Sequence, residues 1–144
     1  MAVTYDKIAY DQVELGLRKI INDEFRNVYI SSEFEMKGSE CIRINLESSS
    51  SVEQATNYEV RDYNVMIRYY HKADLRREHV NKAVKADIDR LRKHLLDNQV
   101  NTTNNWAALI IDDIQYSVED AENEEDTLIN IAEFAITIQH YNHF

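Results

Sequence analysis

The sequence predicts an α+β domain: a mainly antiparallel sheet of four to five strands with two helices packed on one face, in the order α-β-β-β-α-β-β. Three observations carry that expectation. Two segments place apolar residues at helical spacing. Five others alternate apolar and polar residues or are rich in β-branched and aromatic side chains. No repeat and no linker long enough to split the 144 residues is visible, so residues 1–144 read as one domain, and two helices over one sheet face is the economical way to bury both stripes.

Taken in order, Thr4 is placed to cap a first helix running to about Arg26, with Tyr10, Val13, Leu17, Ile20 and Ile21 as its buried stripe. Ile8 and Leu15 fall on roughly the opposite side and are candidates for an apolar contact with a second subunit. Val28, Ile30, Phe34 and Met36 hold the even positions of a first strand, and Gly38 marks the turn after it. Ile42, Ile44 and Leu46 alternate with Arg43, Asn45 and Glu47 in the clearest half-buried strand. Glu47–Asn57, with serine at all four positions 48–51, has no periodicity and is expected to be a loop or arm, disordered until a neighbour orders it.

A third strand, Tyr58 to Tyr70, puts Val65, Ile67 and Tyr69 on one face and Met66, Arg68 and Tyr70 on the other. Asp74 is expected to cap the second helix, whose stripe is Val80, Val84, Ile88, Leu91 and Leu95. In the fourth strand, Trp106–Val118, Leu109 and Ile111 are odd whereas Ile114, Tyr116 and Val118 are even. That change of phase predicts a β-bulge at Asp112-Asp113. The last strand, Leu128–Tyr141, turns Phe134, Ile136 and Ile138 inward. With no proline and two glycines, the connections are expected to be polar loops rather than tight primed turns.

The net charge of −10 is unevenly spread. Lys72 to Lys93 holds eight of the 16 basic residues, and from His94 to Phe144 there is neither lysine nor arginine. A negative total argues against nonspecific nucleic-acid binding, which needs a basic surface to meet phosphate. One acidic wall and one basic helix make a polarised domain of the kind that faces a partner or another copy of itself. Arg76, Arg77, Lys82, Lys85, Arg92 and Lys93 are the candidate interface bases. Asp112, Asp113, Glu119, Asp120, Glu122, Glu124, Glu125 and Asp126 are the candidate channel or interface acids.

Chemistry has no comparable signal. Asp112 and Asp113 share a face only if the bulge is present, and solvated acids at an irregularity is the plainer reading. His71, His79, His94, His140 and His143 fall in no HExxH, HxH or cysteine-paired spacing, and His140 with His143, at i, i+3, is the one arrangement that resembles a chelating pair. Cys41 has no partner for a disulfide, and its place in a strand suggests a structural role in a reduced compartment. Gly16 and Gly38 cannot make a phosphate loop. The expectation is no enzyme, no cofactor and no metal. The N-terminus lacks the apolar run of a signal peptide, and no stretch reaches membrane-spanning length.

In layout the chain resembles the tail terminator (tail completion, or neck) proteins of tailed bacteriophages. The resemblance runs through the opening helix, the strands Asn27–Phe34 and Glu40–Leu46, the polar stretch, Tyr58–Tyr70, a helix, and two closing strands ending Phe134-Ala-Ile-Thr-Ile-Gln-His-Tyr141. It implies a virion protein, assembled in the host cytoplasm. Such a protein forms a homo-oligomeric ring, usually a hexamer, at the head–tail junction. The ring caps the tail-tube protein and joins it to the head-side connector while DNA passes through without specific binding. A head-side neck or head-completion protein and a small cytosolic module that binds a basic protein partner are the other roles to weigh.

Overall fold

The computed structural model describes residues 2–31, 38–73, 78–121 and 127–144. Ile8–Glu14 is π-helical and runs directly into α1, Leu15–Asn22. Strands β1 (Val28–Ile30), β2 (Glu40–Gln54) and β3 (Tyr58–Ala73) precede α2 (Glu78–Asp97), and β4 (Trp106–Asp120) and β5 (Leu128–His143) follow it. The five strands form one sheet in the order β1-β2-β3-β5-β4. Only β1 and β2 are parallel; every other pairing is antiparallel. The expected α+β class and element order are what the molecule has.

Both helices cover the same sheet face. Val13, Leu17 and Ile21 from the first helical unit, with Phe25 just after it, meet Val84, Ile88, Leu91 and Leu95 of α2 above Ile42, Ile44, Val65, Ile67, Phe134, Ile136 and Ile138 of the sheet. The α2 stripe is the one its sequence spacing marks. A smaller cluster of Cys41, Tyr70 and Ile131 forms a row on the helix-free face, so Cys41 is a buried thiol.

The first helix departs from the expected one. Residues 2–7 are not helical, so Thr4 caps nothing, and α1 ends at Asn22 rather than Arg26. The N–H of Leu15 bonds the carbonyl of Tyr10, five residues back, and this wider winding shifts the phase of the stripe. Tyr10 therefore turns out to 51% exposure. Ile8 packs against the chain's own core instead of lying opposite to it, and Leu15 is half-buried. Asn27, at φ 58°, makes the left-handed turn that leads into β1 and donates its side-chain amide to the Glu40 carbonyl. The expected continuation of β1 through Phe34 and Met36 lies outside the described residues, as does the Asp74 cap.

The larger correction concerns Glu47–Asn57. It is the outer half of β2, paired with β3 as far as Gln54↔Glu59 and leaving only 55–57 as the connection. Serine lacks the apolar signature of a strand, but a ladder is held by backbone groups, and here β3 supplies them. Asn64 Nδ2 donates to Ser48 Oγ (3.0 Å) and Arg61 Nη1 to Ser49 Oγ (3.0 Å). Irregularities at 47 and 52 adjust the register. Hydrogen exchange is expected to show alternate protected amides along 48–51 in the isolated chain; random-coil exchange there would contradict the ladder.

A polar knot fastens β4 to the first helix. Trp106 is buried and donates Nε1–H to the Gln12 carbonyl (2.8 Å), while Gln12 Oε1 accepts from Nε2 of buried His140 (2.5 Å). Gly16 lets the helix come close: a Cβ there would lie 2.8 Å from the Asn104 amide nitrogen. Burial lowers the His140 pKa from its ordinary 6.5, so the unfolded chain takes up this proton at a higher pH than the folded one. The stability tied to neutral His140 is complete above about pH 6.5 and is lost as pH falls below it. Burial of Glu14 raises its pKa and acts in the opposite sense, so the test is a difference. Wild type should lose more thermal stability than His140→Gln between about pH 7.5 and about pH 5.5. Parallel losses would contradict this.

Candidate assembly surfaces

The sheet register decides where the acids point. Between Ile111↔Ile136 and Asp113↔Ala135 the register slips by one, so the bulge expected from the phase change is present, with Asp112 as the extra residue. Ile110 pairs with Thr137 on the helix-free face, and Asp112 turns to that same face to accept from Thr137 Oγ1 at 2.6 Å. Asp113 shares the face and accepts from Gln115 Nε2 at 3.1 Å. The bulge thus brings both exposed carboxylates to one side. Glu119, opposite Ile129, follows on that side, and Asp120 closes the strand beside Leu128. Glu122, Glu124, Glu125 and Asp126 lie outside the described residues.

Polar contacts continue across the helix-free face. Thr137 Oγ1 lies 3.2 Å from Asn64 Oδ1, and Asn64 in turn donates to Ser48, so one row links β4, β5, β3 and β2. Asp62 accepts from Gln139 (3.3 Å), and Arg68 pairs with Glu133 (3.4 Å). Arg43, 5% exposed, lies 4.6 Å over the Tyr29 ring.

The bases occupy the other layer. Lys82, Lys85, Arg92 and Lys93 are exposed on α2. Lys93 pairs with Asp97 one turn on, whereas Lys82, Lys85 and Arg92 make no ion pair among the described residues. Arg76 and Arg77 lie outside those residues. Arg90, itself exposed, lies over the Phe25 ring at 4.1 Å and reaches Glu24 (3.4 Å) and Asp87 (3.6 Å). Lys82 and Lys85 therefore leave the helix layer away from the acids, whereas Arg92 lines the same groove as Asp112 and Asp113 without an ion pair to either among the described residues.

Strand β4 is also a sheet edge of 15 residues. Ile110, Tyr116 and Val118 are 50%, 54% and 57% exposed along it. A groove of about 580 Å³ runs between Arg92 and Leu96 of α2, with Gln99 just beyond it, and the Ala108–Ile114 stretch. A long edge with apolar side chains is a template for another strand, and carboxylates at a bulge are a known device for restricting which strand pairs there. Sequence reasoning missed the groove because it exists only once α2 is laid beside the edge.

A second unforeseen group sits under α2. Glu40 and His71 are cross-strand partners, and Asp87 reaches them from the helix; the three ligand atoms lie within 4.8 Å of one another. Tyr69 donates its hydroxyl to Glu40 Oε2 at 2.6 Å, and burial foremost, with that bond, raises its pKa far above the usual phenol range. No residue spacing advertises this set, since three separate elements supply it.

No protein-family model matches the chain, and no curated protein sequence matches it. Among solved structures it is similar to a chain from the virion of a native gene transfer agent particle, with 11% identity and a TM-score of 0.49 over 96% of this chain and all of that one. No described helix is long and apolar enough to cross a membrane.

Proposed function

We propose that the chain is a structural subunit of a phage-type particle. In this reading it assembles as a ring at the head–tail junction, joins the tail tube to the head-side connector, and lets DNA pass. The observation that carries this is the separation of charge across the thickness of the molecule. Acids at Asp112, Asp113 and Glu119 leave the helix-free sheet face, and exposed bases at Lys82 and Lys85 leave the helix layer. A conduit wall must not hold phosphate, and like charge on the lumen side provides that, whereas the bases would trap the polyanion if they faced inward. The helix-free face is accordingly the lumen side and the helices the outer layer. Closed cyclic rings need two unlike patches per subunit, and the β4 edge with its groove serves as one of them. The layout shared with tail terminators supports the same placement.

The acidic face alone would also suit a module that binds a basic protein. Native mass spectrometry over a concentration series, with the tail-tube protein added, separates the two. A discrete closed oligomer that binds the tube end is expected. A monomer that binds basic peptides and ignores the tube would overturn the ring.

A further inference from the structure

We propose that Glu40, His71 and Asp87 form a binding site for a divalent transition-metal ion of the zinc class, which would clamp α2 to the sheet. The three ligands come from β2, β3 and α2, and each is half-buried on the helix-covered face. One imidazole with two carboxylates is a donor set that suits Zn²⁺ and its neighbours and is poorly suited to Mg²⁺, which keeps oxygen ligands and its waters.

The present contacts satisfy Glu40 Oε2, which accepts from the Tyr69 hydroxyl, and leave His71 Nδ1 only loosely held. His71 Nδ1 stands 3.6 Å from Glu40 Oε2 and 3.4 Å from the Tyr69 hydroxyl. The first separation is too long for a hydrogen bond and the second is weak. Two carboxylates share the spot, and among the described residues Arg90 approaches Asp87 at 3.6 Å while also reaching Glu24 at 3.4 Å. A cation between the three donors relieves that like-charge approach.

Tetrahedral zinc holds its donors about 3.3 Å apart, so the present set must contract by about 1.5 Å, within the reach of rotations of the Glu40 and Asp87 side chains. Tyr69 supports the arrangement from below. Its bond to Glu40 Oε2 fixes one carboxylate oxygen, its ring stacks beside His71 (6.4 Å, 22°), and it has no solvent exposure. Because Asp87 neighbours the buried Ile88, a bound ion would tie the helix to the β2–β3 hairpin directly above the main core.

Titration calorimetry on the tag-free full chain, stripped with chelator, is the test, using Zn²⁺, Mn²⁺ and Mg²⁺ salts as probes. One zinc per chain is expected, with little or no heat from Mg²⁺ and a rise in thermal midpoint on zinc addition. His71→Gln and Asp87→Asn should each weaken zinc by at least about tenfold. In the wild type, NMR should place the zinc-induced imidazole shifts on His71 rather than on His140 or His143. That readout stands even if a variant folds poorly. Absence of zinc binding, or binding that leaves His71 unshifted and survives both substitutions, would overturn the site.

Discussion

Replacing Trp106 by alanine is expected to cost about 3–5 kcal/mol, a large share of the 5–15 kcal/mol typical of a domain this size. Trp106 is among the largest fully buried side chains, so truncation leaves a cavity that its neighbours fill only in part. The same change removes the donor to the half-buried Gln12 carbonyl. It also loosens the knot through which Gln12 reaches His140, so β4 loses its tie to the first helix. Urea denaturation followed by circular dichroism gives the number. Trp106→Phe keeps most of the volume and lacks the donor, and should cost about 1–3 kcal/mol. A loss below about 1 kcal/mol for alanine would show that the β4 end is not part of the cooperative core.

The second large effect concerns assembly and DNA passage. Neutralising Asp112, Asp113 and Glu119 together with Glu122, Glu124, Glu125 and Asp126, as asparagine or glutamine, removes most of the negative charge of this region, leaving Asp120, with little change in side-chain size. With these acids on the lumen side, rings should form normally while DNA delivery falls by about tenfold or more, since phosphate is no longer repelled from the wall. With the acids paired to Lys82, Lys85 and Arg92 of a neighbouring subunit instead, the same substitutions should weaken assembly, and high salt should imitate them. Unchanged assembly and unchanged delivery would leave the acids as a solvated surface and defeat both placements.

Much of this architecture was readable from side-chain periodicity, and its failures have identifiable causes. The α2 stripe and the inward row of β5 follow from spacing alone, because burial of one face is what selects it. The bulge at Asp112 was visible as a change from odd to even apolar positions, a signal that only an inserted residue produces. The serines of β2 were not readable as strand, since their ladder rests on backbone groups supplied by β3. The π-helical start of the first helix shifted Tyr10 outward because its bonds reach five residues back, which an i, i+4 pattern does not encode. Glu40, His71 and Asp87 meet only after the hairpin register and the seat of α2 are known. Of the proposed surfaces, the sequence disclosed the sign of the charge but not that Asp112 and Asp113 gather on the helix-free face while Lys82 and Lys85 leave the helix layer.

The most direct test is cryo-electron microscopy of assembled particles that contain the chain, at a resolution that traces its sheet. The account predicts a closed ring at the head–tail junction, with the helix-free face and the Asp112–Asp113 bulge lining the lumen and α2 on the outside. A ring with α2 facing the DNA, or a chain found in no ring of the particle, would contradict it.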